Sequence, residues 1–138
     1  MRRRARRDPA DPADPFQRMI QLLERAHELA DAREHAEAAA QFAVAADVAE
    51  EIDDHEMAHS ARSLGRQHHI IAWAQRQWPN ESIGYPDVQP EAPFVNREWT
   101  RFSIRRLDPR TGGTRKTLVT MNRRGLITVN RQRWQRQR

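Results

Sequence analysis

Hydrophobic periodicity changes once along this chain, from about 3.6 residues up to Trp78-Pro79 to two residues after Trp99, which restricts the fold to helices followed by strands. Between the two regimes lie Pro79, Pro86, Pro90 and Pro93 with little pattern of their own. The expected fold class is therefore α+β. An acidic three-helix layer over residues 14–78 is followed by a Pro-rich linker or clinging extended segment over 79–96. A small basic three-stranded antiparallel meander with a disordered Arg-rich tail then fills 97–138. Residues 1–13, with Asp-Pro at 8–9 and 11–12, form a basic arm expected to be extended.

The helices announce their own ends. Asp14 suits an N-cap, Pro15 the first helical position, and Gln17 the third member of a capping box. Met19, Ile20, Leu22, Leu23, Ala26, Leu29 and Ala30 then make one apolar face. Asp31 and Glu34 repeat the cap spacing, which predicts a tight turn at 31–34 and a second helix to about residue 51, with Ala38, Phe42, Ala45, Ala49 and Ile52 as its stripe. For the third helix Asp53 is the expected cap, Glu56 its N3 partner, and Ile52 with Met57 a hydrophobic staple. Its pattern of Met57, Ala61, Leu64, Ile71 and Trp78 stops at Pro79.

Ala26, Leu29, Ala38, Phe42 and Ala45 fall at the interhelical packing positions of a tetratricopeptide repeat, and Leu64-Gly65 falls where the next repeat would begin. Residues 19–65, about a third of the chain, thus resemble that family, which implies a protein-binding helical scaffold. Arg33 departs from the pattern, standing where the family commonly has Gly between helices, and there is no second full repeat. An unrelated three-helix bundle fits the same residues.

Beyond the linker, Thr100, Phe102 and Ile104 alternate with Arg101, Ser103 and Arg105. Asp108-Pro109-Arg110-Thr111-Gly112-Gly113 is a turn signal, Thr114–Met121 a second strand, Asn122-Arg123-Arg124-Gly125 a type I turn, and Leu126–Asn130 a third strand. The alternative for the middle strand is a short helix over Thr117–Arg124.

Composition narrows the function classes. Leu, Ile, Val and Phe number only 24 beside 19 alanines, enough for a thin core but not for a deep substrate cavity, which counts against a self-contained enzyme. Without cysteine there is no disulfide, thiolate nucleophile or Cys-ligated metal, and a reducing cytoplasm suits the chain. No apolar run approaches the roughly 18 residues of a membrane span, and the basic start leads into Asp-Pro repeats rather than a signal peptide's apolar segment. Twenty-three arginines against one lysine, with abundant alanine, point to a GC-rich bacterial or phage genome.

Charge is segregated along the chain. Residues 14–61 carry twelve acids and three arginines, whereas residues 97–138 carry twelve arginines and Lys116 against Glu98 and Asp108. A meander built from such a segment presents one apolar and one cationic face. Arginine's planar fork favours phosphate oxygens, so nucleic acid is the expected partner. The expected contacts are Arg101, Ser103, Arg105, Arg115, Lys116, Arg123 and Arg124 on strands and turns, with Arg131, Arg133 and Trp134 clamping by charge and stacking. Pairing of these cations with the chain's own acids is the competing expectation.

One motif points elsewhere. His55-Glu56-Met57-Ala58-His59 matches H-E-x-x-H, in which two histidines one turn apart hold zinc and the glutamate activates water. A zinc-dependent hydrolase is therefore an alternative, and a purely structural subunit a further one. Against zinc, Glu56 already serves the helix N-terminus. His68, nine residues beyond His59, falls on the opposite face, and His69 falls about 15 Å further along. The expectation is thus solvated histidines, no cofactor, and His68 as a packing residue. Trp73 and Trp78 are expected to anchor packing at the helix end. No Gly-rich phosphate loop or nucleophile elbow occurs. The overall expectation is a non-enzymatic adaptor, basic part on nucleic acid and helical part on a protein.

Overall fold

The computed structural model describes residues 14–88 and 99–129; the N-terminal arm, the rest of the linker, and the tail with Arg131, Arg133 and Trp134 lie outside the described residues. Three helices precede an antiparallel sheet, an α+β layout: α1 (Pro15–Asp31), α2 (His35–Glu51), α3 (His55–Gln77), then β1 (Ser82–Ile83), β2 (Asp87–Val88), β3 (Trp99–Leu107), β4 (Thr114–Asn122) and β5 (Ile127–Val129). Among the described residues no helix is long and apolar enough to cross a membrane.

The chain divides into two compact units, one ending at Ala72 and the other starting at Trp73. The break falls inside α3, earlier than the helix end where the sequence places it. Trp73 in α3 and Trp78 just after it meet edge to face at 5.5 Å, and the Arg106 guanidinium of β3 lies 3.9 Å over the Trp78 ring.

In the helical unit, the Phe16 N–H donates to Asp14 Oδ1 at 3.1 Å, so Asp14 caps α1 with Pro15 behind it as expected. Met19 of α1 packs with Val48 and Ala49 of α2 and Ala58 of α3, and a second cluster joins Ala26 and Leu29 to Ala38 and Phe42. Of α2, Ala38, Ala39, Phe42, Ala45, Ala46, Val48 and Ala49 are buried, and the helix packs against both α1 and α3. At Gly65 α3 runs alongside α2, where a Cβ would make ordinary contact with the Ala39 carbonyl oxygen and the Phe42 Cβ, each at 3.4 Å.

Both interhelical turns have one geometry. The Glu34 N–H donates to the Leu29 carbonyl and the Arg33 N–H to that of Ala30; Asp54 and Asp53 repeat this with Ala49 and Glu50. These are Schellman closures, with Arg33 (φ 64°) and Asp53 (φ 59°) in the left-handed place that glycine usually takes. Two sequence expectations shift in consequence. Asp53, held in that conformation, is not the α3 cap. Asp54 is, its Oδ1 accepting from the Met57 N–H at 3.1 Å, which moves Glu56 to the second helical position. Ile52 and Met57 still pack on one cluster although they no longer hold staple positions. Asp31 is the last residue of α1 rather than a cap, and Glu34 occupies the α2 N-cap position without a side-chain bond.

In the second unit β3, β4 and β5 form the expected meander, with Thr114–Asn122 a strand and not a helix. The linker adds two short strands to the β3 edge. Ser82 and Ile83 pair with Leu107 and Arg106, and Asp87 and Val88 with Ser103 and Phe102. Between these pairings Gly84, Tyr85 and Pro86 oppose only Ile104 and Arg105, so one extra residue bulges the edge. Phe102, Ile104, Val119 and Met121 are the buried face of the sheet.

Candidate anion-binding face

Pairing of β3 with β4 sets Arg101 opposite Thr120, Ser103 opposite Leu118, Arg105 opposite Lys116 and Arg106 opposite Arg115. Strand parity separates these rungs. The even-numbered residues of β3 share a side with buried Phe102 and Ile104, while Arg101, Ser103 and Arg105 share the other. Arg105 and Lys116 therefore meet side by side on the outer face, both exposed.

Arg106, on the apolar side, is neutralised locally. Its Nε and one terminal nitrogen reach the two Glu81 carboxylate oxygens at 2.6 and 3.0 Å, its other nitrogen donates to Thr117 Oγ1 at 3.0 Å, and its flat face covers Trp78. Arg110, at the β3–β4 turn, lies 3.6 Å from Asp108, whose carboxyl is held below its usual range chiefly by the Arg110 backbone N–H. Arg101, Arg105, Arg115, Lys116, Arg123 and Arg124 are exposed, and among the described residues none of them makes an ion pair.

The β4–β5 turn presents two of these cations. Asn122 Oδ1 accepts from the Arg124 and Leu126 N–H groups, both at 2.9 Å, and the Gly125 N–H donates to the Asn122 carbonyl. This is the expected type I turn, with Gly125 at φ 88° completing a three-residue hairpin loop that leaves Arg123 and Arg124 at its tip.

Ser103 corrects one sequence expectation. It faces outward by parity but is only 3% exposed, a short side chain on the central strand between the longer Arg101, Arg105 and Leu118. It is not available to read a base edge.

The other motif residues are placed as follows. His55 Nδ1 lies 2.9 Å from Glu50 Oε1, and Arg62 reaches the other oxygen at 2.8 Å. The Arg62 hydrogen bond, and then that of His55, hold the Glu50 carboxyl below its ordinary value. Glu56 and His59 are exposed on the first turns of α3. Among the described residues no three His, Cys, Asp or Glu side chains are grouped so as to hold a metal ion.

Periodicity did not reveal a histidine pair between α2 and α3. The Nδ1 atoms of His35 and His68 are 2.9 Å apart, their rings within 14° of parallel and their centroids 5.1 Å apart, so they meet edge to edge through one shared proton. Phe42 lies near-parallel to His68 at 5.6 Å, and His27 meets Phe42 edge-on at 5.1 Å. Burial, then the nearby His35 and His27, push His68 down to about 4; burial and Arg33 lower His35. The pair is 33 residues apart in sequence, and only packing of the two helices joins it.

Neither a protein-family model, nor a curated protein, nor a solved structure matches the chain.

Proposed function

We propose that this chain is a non-enzymatic binding adaptor whose cationic β3–β4 face contacts nucleic acid and whose helical unit contacts a protein. The observation that carries the reading is the Arg105–Lys116 rung: two exposed cations directly opposite each other, with no carboxylate on either. Like charges in that position cost about 0.2–1 kcal/mol of sheet stability, a cost that a bound phosphate reverses. Arg101 on the outer side of β3, and Arg123 and Arg124 at the turn, extend the same charge, whereas Arg115, opposite Arg106, falls on the other side of the sheet. For the helical unit, the tetratricopeptide resemblance and the exposed Ala36, Ala40, Ala43 and Val44 along α2 support a protein surface.

Filter binding of the full chain to DNA across a salt series tests the nucleic-acid half. If Arg101, Arg105, Lys116, Arg123 and Arg124 neutralise phosphates, the log–log slope is about −4.5 on duplex and about −3.5 on single strands, from about 0.9 and 0.7 per phosphate. Arg105→Glu sets a carboxylate opposite Lys116, so thermal stability rises slightly while affinity and slope both fall. A flat slope for the parent protein, or no binding at low salt, removes the reading.

A further inference from the structure

The cationic rung attracts any polyanion; what distinguishes one polyanion from another on this surface is the bulge beside it. Continued without interruption from Ile83 opposite Arg106, the edge ladder would set Tyr85 opposite Ile104, a fully buried residue. The extra residue changes this. Pro86 is buried instead, and Tyr85, one residue beyond the Gly84 N–H that donates to the Arg105 carbonyl at 2.9 Å, is 54% exposed. Proline suits the buried place because it brings no N–H in need of a partner. Burial of the phenol ring alone would favour the regular ladder, so the bulge forgoes apolar burial and leaves an aromatic ring exposed on the edge that adjoins β3, the strand that carries Arg105.

Resting on the nucleic-acid reading above, we propose that this edge is a single-stranded nucleic-acid site in which Tyr85 stacks on a base while Arg105 and Lys116 hold the adjoining phosphate. A duplex keeps its base faces stacked inside, so it can use the cations but not the ring. A single strand offers both, and every base has a face to stack on.

The test is fluorescence anisotropy of the full chain with three probes of equal length: labelled oligo-dT, an abasic strand of the same charge, and a duplex. Tyr85→Ala is expected to weaken oligo-dT binding by roughly 5- to 100-fold, the range of one lost base–aromatic stack. The salt slope should not change, since no charge is removed. Tyr85→Phe should bind as the parent does, and both variants should match the parent on the abasic strand and the duplex. Equal losses on all three probes, or no loss on oligo-dT, overturn the stacking site while leaving the cationic reading in place, provided that Arg105→Ala and Lys116→Ala still lower the slope. Failure of every probe to bind at low salt overturns both.

Discussion

Acid should loosen the helical unit through His68, and replacing that residue should remove most of the effect. The imidazole is 2% exposed, lies against Phe42 and shares one proton with His35, so the folded chain takes up a proton there only near pH 4, against 6.5 for an ordinary histidine. Between these values the unfolded chain binds more protons than the folded one, so stability falls as pH falls. At about 1.4 kcal/mol per pKa unit the loss is roughly 1 kcal/mol by pH 5.5 and approaches 3 kcal/mol near pH 4, and the lowered pKa of His35 acts in the same direction. His68→Phe keeps a flat ring against Phe42 but cannot titrate. Urea unfolding followed by circular dichroism at 222 nm, which reads the helices, should show a parent that weakens steeply from pH 7 to 4.5. The variant should weaken by about 2–3 kcal/mol less over the same range, whatever constant offset repacking gives it at neutral pH. His59→Ala, at an exposed position of α3, is the control and should follow the parent. Parallel decline of parent and His68→Phe would refute the argument, because the exclusion of an added proton from His68 could then not be what weakens the fold in acid.

Two other expectations concern stability. At Arg33 and Asp53 a side chain occupies left-handed backbone, which costs about 1–2 kcal/mol, less for Asp, while glycine costs chain entropy when unfolded; Arg33→Gly and Asp53→Gly should each raise stability by roughly 0.5–1 kcal/mol in chemical denaturation. Truncating Glu81 to Ala leaves the Arg106 guanidinium, largely buried over Trp78, without its carboxylate and should cost about 2–3 kcal/mol. Arg106→Met with Glu81→Ala should recover much of that loss, and a double variant no better than Glu81→Ala would show that the ion pair is not the cause.

How much of this was legible in the sequence depends on whether a feature is local. Asp14-Pro15 and the apolar spacing of α1 declare themselves within a few residues, as do the parity of β3 and the Asn122–Gly125 turn. The cap of α3 was misplaced by one residue because Asp53 and Asp54 offer the same carboxylate, and only the backbone closure at Asp53 decides between them. That closure is itself hard to read, since neither turn carries the glycine that normally marks it. Strands β1 and β2 have two residues each, too few for alternation to show, and exist because β3 leaves an edge for them. The His35–His68 pair depends on the register of two packed helices, which no local pattern encodes.

The cations show most clearly where local reading ends. Parity assigns Arg106 to the side of Phe102 and Ile104, and a guanidinium on an apolar face requires a carboxylate close by. That requirement follows from sequence, but that Glu81 meets it does not, because the two are 25 positions apart and a bulged edge lies between them. The same parity sends Arg101, Ser103 and Arg105 outward, yet only the two long side chains reach solvent, since parity fixes a direction and side-chain length then decides what protrudes past the neighbours. A small polar residue between two arginines on a central strand is therefore better read as a spacer that holds the cations about 13 Å apart along β3, four residues at roughly 3.3 Å each, than as a contact in its own right.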